Sequence, residues 1–170
     1  VVIANPNAPT GIMQNEEFLR DVIEHNRDVV VIIDEAYVDF SGKSALSLTK
    51  EYDNVLIVQT FSKSRSMAGM RIGYAMGNPE AMNDVRFSYN SYPMTRISVA
   101  LGIAAIEDED YFRKTTGQIV ETREWTKERL TELGFTFGDS KTNFIFAKHA
   151  TVDAEEIFAK LREKHIFVRH

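Results

Sequence analysis

The run Val29-Val30-Val31-Ile32-Ile33 has no polar residue at any second position, so as a strand it needs apolar cover on both faces. A strand of that kind belongs inside a parallel sheet flanked by helices. Two further runs share the character: Val1-Val2-Ile3-Ala4 before it and Asn54-Val55-Leu56-Ile57-Val58 after it. Between the first and second, Asn15-Glu16-Glu17 opens a helix with Phe18, Leu19, Val22 and Ile23 at helical spacing. Strands alternating with helices specify right-handed crossovers and an α/β fold with a three-layer, mostly parallel sheet. Ile72-Gly73-Tyr74-Ala75-Met76-Gly77 reads as another strand. The link before it is shorter than the usual dozen residues of a parallel crossover, unless residues 64–70 supply part of one.

Beyond Pro79 the pattern turns helical. Helices are expected over 80–87, over 95–107 as a small, apolar and mostly buried element, and over 111–133, carrying Trp125 as an interdomain packing residue. The acidic break Glu107-Asp108-Glu109-Asp110 divides the chain into residues 1–107, a portion of a large domain, and 108–170, a small α+β domain that begins with the long helix. Its strands are expected at 135–137, 143–146 and 166–168, around a helix over 153–164. The chain opens and closes in what reads as mid-strand, which predicts an excerpt of a longer protein.

Composition narrows the classes. The 170 residues are 44% hydrophobic and 26% charged, enough apolar material for a core. A net charge of −5 without basic runs offers no basis for binding nucleic acid or an anionic membrane. Cysteine is absent, which excludes disulfides and thiolate metal sites. His25, His149, His165 and His170 lack ligand spacing. No apolar stretch approaches the ~20 residues that span a bilayer.

Open α/β sheets bind ligands beyond the carboxyl ends of their strands. Three polar clusters follow the three runs: Asn5-Pro6-Asn7-Ala8-Pro9-Thr10-Gly11, Asp34-Glu35-Ala36-Tyr37 and Thr60-Phe61-Ser62-Lys63. By itself, a lysine after a strand is an ordinary solvated residue, and Arg65 beside it is read as a surface residue. Together the clusters offer an amine for an aldehyde, a carboxylate for a protonated ring nitrogen, a phenol donor, and hydroxyl and guanidinium groups for an anion. Lys63, Asp34, Tyr37, Ser62 and Arg71 in those roles match the needs of pyridoxal 5'-phosphate.

The ordered set Asn-Pro-Asn-Ala-Pro-Thr-Gly, Asp-Glu-Ala-Tyr, Thr-Phe-Ser-Lys-Ser and Gly-Met-Arg-Ile-Gly resembles the class I/II aminotransferases of fold type I, and is most similar to histidinol-phosphate aminotransferases. The resemblance covers nearly the whole chain. It implies that Lys63 forms the Schiff base and serves as catalytic base, and that Asp34 partners the pyridinium nitrogen. Tyr37 would donate to the phenolic oxygen, and Ser62 with Arg71 would bind the phosphate. The family places an asparagine immediately before Pro-Thr-Gly; this chain has Ala8, so Asn7 or Asn5 is the substitute donor, and Asn7 is the one carried over. Asn143, in a segment similar to the one before the family's small-domain strand, and Arg169, in one similar to its substrate-binding arginine segment, are the candidate substrate contacts.

By the same resemblance the substrates are an amino donor, histidinol phosphate, and the 2-oxo acid 2-oxoglutarate, in a cytoplasmic homodimer. The scaffold also serves aromatic aminotransferases and threonine-phosphate decarboxylases. The family's phosphate-binding backbone donors, ring-stacking aromatic and second substrate arginine have no counterpart here. The isolated chain is therefore expected to transaminate little, and a non-catalytic, structural role is the alternative of another class.

Overall fold

The structure is a computed structural model and describes residues 1–169; His170 lies outside the described residues. Four strands form one sheet in sequence order: β1 (Val2–Ala4), β2 (Val31–Asp34), β3 (Val55–Thr60) and β4 (Gly73–Gly77). The first three are parallel and β4 is antiparallel to β3. That reversal accounts for the short link. A hairpin needs no crossover, and the single 3₁₀ turn Ala68–Met70 suffices to bring the chain back.

Register fixes what each face carries. Ile3, Ile33, Ile57 and Met76 align in one row across the sheet. This row faces α1 (Glu16–Glu24), whose Leu19 and Ile23, four apart, are buried against Val31, Ile33, Val55 and Ile57. Each such side chain withdrawn from water contributes about 1.5–3 kcal/mol. The Asn15 side chain caps α1 by accepting the Phe18 N–H at 2.8 Å, and Glu16 and Glu17 complement the positive end of the helix dipole. Leu48 and Tyr52, in and beside the 3₁₀ helix Leu46–Lys50, close the core.

After β4 come α2 (Pro79–Phe87), α3 (Arg96–Glu107) and α4 (Glu109–Glu132). A second sheet pairs β5 (Phe135–Phe137) antiparallel with β6 (Ala147–His149), and α5 (Ala154–Glu163) follows. Asp108 lies between α3 and α4 and caps α4 through the Tyr111 N–H. The acidic break is thus a corner between helices.

Several expectations are corrected. Val29 and Val30 lie outside β2 and are each 45% exposed. The strand expected at 143–146 lies instead at Ala147–His149, and residues 166–168 have no strand partner. In α3, expected to be mostly buried, Ile97, Leu101, Ile103 and Ile106 are exposed, while Gly102 packs against Ile72 and Phe61. Trp125 is 59% exposed and is not a packing residue among the described contacts. No helix among the described residues is long and apolar enough to cross a membrane.

Candidate functional site

Strand alternation divides Asp34 from Glu35. The row Ala4, Asp34, Val58 and Ala75 runs across the sheet face opposite α1. Asp34 thus stands on that face between Ala4 and Val58. One carboxylate oxygen accepts the Ala36 N–H at 3.0 Å, and Oδ2 has no donor among the described residues. Glu35 turns to the core face and is 2% exposed. There it accepts from the Ser44 hydroxyl at 2.7 Å, the Ala45 N–H at 2.6 Å and the Gln59 amide at 2.7 Å. A carboxylate this buried persists only with such donors. Gln59 in turn accepts from the Tyr74 hydroxyl, whose pKa is raised first by burial and then by Asp39.

Tyr37 caps the 3₁₀ turn Val38–Phe40, and its ring meets Phe144 edge-on, with centroids 5.2 Å apart. The Lys63 Nζ lies 5.5 Å from the Tyr37 ring centroid. The two segments are joined directly, because the buried Ser64 hydroxyl donates to Asp39. Thr60, the last residue of β3, accepts the Ser62 N–H at 3.1 Å and lies 2.9 Å from the Ser62 hydroxyl, which fixes the residue before Lys63.

Arg71 adopts the left-handed region at φ 55° and ψ 43°, and Ser66 shares it at φ 56°. Such backbone costs about 1–2 kcal/mol per non-glycine residue. Arg71 is exposed, and its Nη1 donates to the Ala68 carbonyl at 3.0 Å. Arg65 is no surface residue. It lies 17% exposed over the Phe112 ring at 4.0 Å and donates to the Ala105 carbonyl, tying the Lys63 loop to α3 and α4.

In the loop after β1, the Asn5 side chain is buried and committed to the Gln14 backbone. Asn7 accepts the Thr10 hydroxyl at 2.8 Å through its amide oxygen, leaving its amide nitrogen as a donor. Gly11, at φ +75°, lies directly against Ser140, and its carbonyl accepts the Lys141 N–H at 2.8 Å. Through this contact the loop meets the segment leading to Asn143. Asn143 and Val168 line one groove of about 800 Å³ along α4. Arg169 follows Val168, and no bond joins it or Asn143 to Lys63, Asp34 or Tyr37.

The structure therefore brings Lys63, Tyr37, Asp34 and Ser62 to one edge of the sheet, with Arg71 at the return of the hairpin. Glu35 and Asp39 were missed by sequence reasoning. Only Glu35 left a signal: strand alternation obliges the residue after Asp34 to face the core.

An open, mostly parallel α/β sheet with a lysine, a carboxylate and a phenol at its carboxyl edge defines a class of cofactor-binding fold. The chain belongs to the aminotransferase class I and II family, whose model matches residues 1–170. It is 50% identical to the histidinol-phosphate aminotransferase of Brachyspira hyodysenteriae, covering 100% of this chain and 49% of that protein. The solved histidinol-phosphate aminotransferase of Clostridium acetobutylicum superposes with a TM-score of 0.90 at 26% identity, over 99% of this chain and 53% of the other. That of Sinorhizobium meliloti, in complex with pyridoxal-5'-phosphate, gives 0.87 at 29%, over 99% and 48%. The chain spans about half the length of the curated relatives it matches.

Proposed function

We propose that this chain carries the pyridoxal 5'-phosphate site of an aminotransferase, with Lys63 as the covalent anchor. The observation that carries the reading is the approach of Lys63 Nζ to the Tyr37 ring, 5.5 Å from its centroid, on the sheet edge that holds Asp34. The donor set fits the group. Asp34 keeps an oxygen free for a ring N–H, and Ala4 leaves room over the sheet beside it. Bound there, the cofactor supplies an electron sink for the charge left when a proton leaves the substrate Cα.

The chain's own residues supply the rest. The Asp34 carboxylate would hold the ring nitrogen's proton. The Tyr37 hydroxyl and the Asn7 amide nitrogen would donate to the phenolic oxygen. The Ser62 hydroxyl and the Arg71 guanidinium would bind the phosphate, the guanidinium turning from the Ala68 carbonyl to do so. The Lys63 amine would take the proton from Cα as general base.

Similarity to histidinol-phosphate aminotransferases supports histidinol phosphate as amino donor and 2-oxoglutarate as acceptor, with Asn143 and Arg169 as substrate contacts. A cytoplasmic homodimer and a division into a large-domain portion (1–107) and a small domain (108–170) belong to the same reading. The test is reduction with borohydride in the presence of pyridoxal phosphate, followed by peptide mapping. The adduct is expected on Lys63 and is lost in Lys63→Ala. A label on another lysine, or none in the full-length protein, overturns the assignment.

A further inference from the structure

Arg123 is a buried cation that the proposed chemistry does not use. It lies on α4, is 7% exposed, and pairs through Nε with Glu124 at 2.8 Å. Its Nη1 donates to two backbone carbonyls far away in sequence, Thr142 at 2.8 Å and Phe40 at 3.2 Å. A guanidinium is suited to this, because its donors are fixed in one plane. Both carbonyls belong to site segments. Phe40 ends the 3₁₀ turn that Tyr37 caps, and Thr142 precedes Asn143 and Phe144. The two segments also touch through the Tyr37 and Phe144 rings, which meet at 88°. Arg123 therefore closes a second link between segments that the ring contact already joins.

We propose that Arg123 is a positioning residue, which sets Tyr37 against Asn143 and Phe144 and thereby aims the Tyr37 hydroxyl at the cofactor. It makes no contact with the reacting atoms. This rests on the cofactor reading above, and the two fail differently.

The test uses the full-length protein with pyridoxal phosphate. The absorbance of the group carried on Lys63 is titrated with pH in wild type, Arg123→Met, Tyr37→Phe and the double variant. Arg123→Met is expected to keep the borohydride adduct on Lys63 and to weaken cofactor binding about tenfold, within the range of couplings between residues in contact. Its titration midpoint is expected to move in the same direction as that of Tyr37→Phe. The double variant is expected to go no further than the larger single change, since one residue acts through the other.

Multiplying effects in the double variant, or an unmoved midpoint in Arg123→Met, overturn the inference and leave the cofactor reading standing. A wild-type protein with no adduct on Lys63 overturns both. If Arg123→Met fails to fold, Arg123→Lys is measured instead, because it keeps the buried charge but lacks the planar fork that holds Glu124 and both carbonyls in one geometry. A smaller displacement in the same direction supports the role, and none overturns it.

Discussion

Gly11→Ala tests whether the loop after β1 is docked on Ser140 as closely as the structure shows. A Cβ on Gly11 would lie 2.6 Å from Ser140 Oγ, 2.8 Å from its Cβ and 3.2 Å from its Cα. Because the Cα is among these atoms, no rotamer of Ser140 relieves the contact. The backbone at φ +75° adds a second cost, since a side chain in the left-handed region is worse by about 1–2 kcal/mol. Overpacking a close contact costs roughly 1–3 kcal/mol. The two together give a loss of about 2–5 kcal/mol. Urea unfolding followed by far-UV circular dichroism measures it, as a lower midpoint with an unchanged slope. Repeating the substitution in Ser140→Gly separates the parts. The two shortest contacts disappear with the Ser140 side chain, so the loss is expected to shrink toward the dihedral cost of about 1–2 kcal/mol, with the 3.2 Å approach to the Cα remaining. A Gly11→Ala protein within about 0.5 kcal/mol of wild type, or equal losses in both backgrounds, would refute the close docking.

Two other substitutions address charges that the fold holds in place. Glu35→Ala strands the Ala45 N–H in the core and removes the acceptor of the half-buried Gln59 amide, and is expected to cost about 1–3 kcal/mol by urea titration; a loss below about 0.5 kcal/mol would mean that water reaches the Ala45 N–H. The Lys127 and Lys141 ammonium groups, by hydrogen bonding, hold the Asp139 carboxyl down at about 2. A folded pKa below the unfolded value of about 3.9 contributes stability at higher pH, which is lost as pH falls from about 4 toward 2. Asp139 is 71% exposed, so solvent screening limits the contribution to roughly 1 kcal/mol or less. Asp139→Asn is expected to flatten the stability profile across that window, and an unchanged slope there would exclude the ion pairs as its source.

The sheet was legible because its signal is local. Val31, Ile33, Val55 and Ile57 must be covered wherever they go, and their runs end in the polar residues that form the site edge. What failed depends on partners. Phe144 and Ile145 are as apolar as any strand residue, yet Phe144 is used against Tyr37, and the backbone pairing falls to Ala147, Lys148 and His149. Ile166, Phe167 and Val168 have the composition of a strand and no neighbour to pair with among the described residues. Arg123 and Lys127 look like solvated helix charges. Their burial follows from Phe40, Thr142, Ser140 and Asp139, which spacing along α4 does not reveal. Asp34, Tyr37, Ser62 and Lys63 could be grouped from sequence although far apart in it, because parallel topology brings strand ends to one edge, whereas the bonds of Glu35 could not.

The hairpin between β3 and β4 divides the site by the cost of assembling it. Lys63, Ser62 and Arg71 lie within one short closure, from Thr60 to Gly73, whose entropy is small and which forms on the microsecond scale of hairpins. Asp34 comes to the edge that holds Lys63 only after β2 and β3 pair in parallel, a longer-range pairing that is slower to form. In refolding followed by pulsed hydrogen exchange, amide protection of the segment from Thr60 to Gly73 is therefore expected to precede that of the segment after β2 that holds Asp34. On the proposed reading, the residues assigned to the phosphate would be ordered before the one assigned to the ring nitrogen.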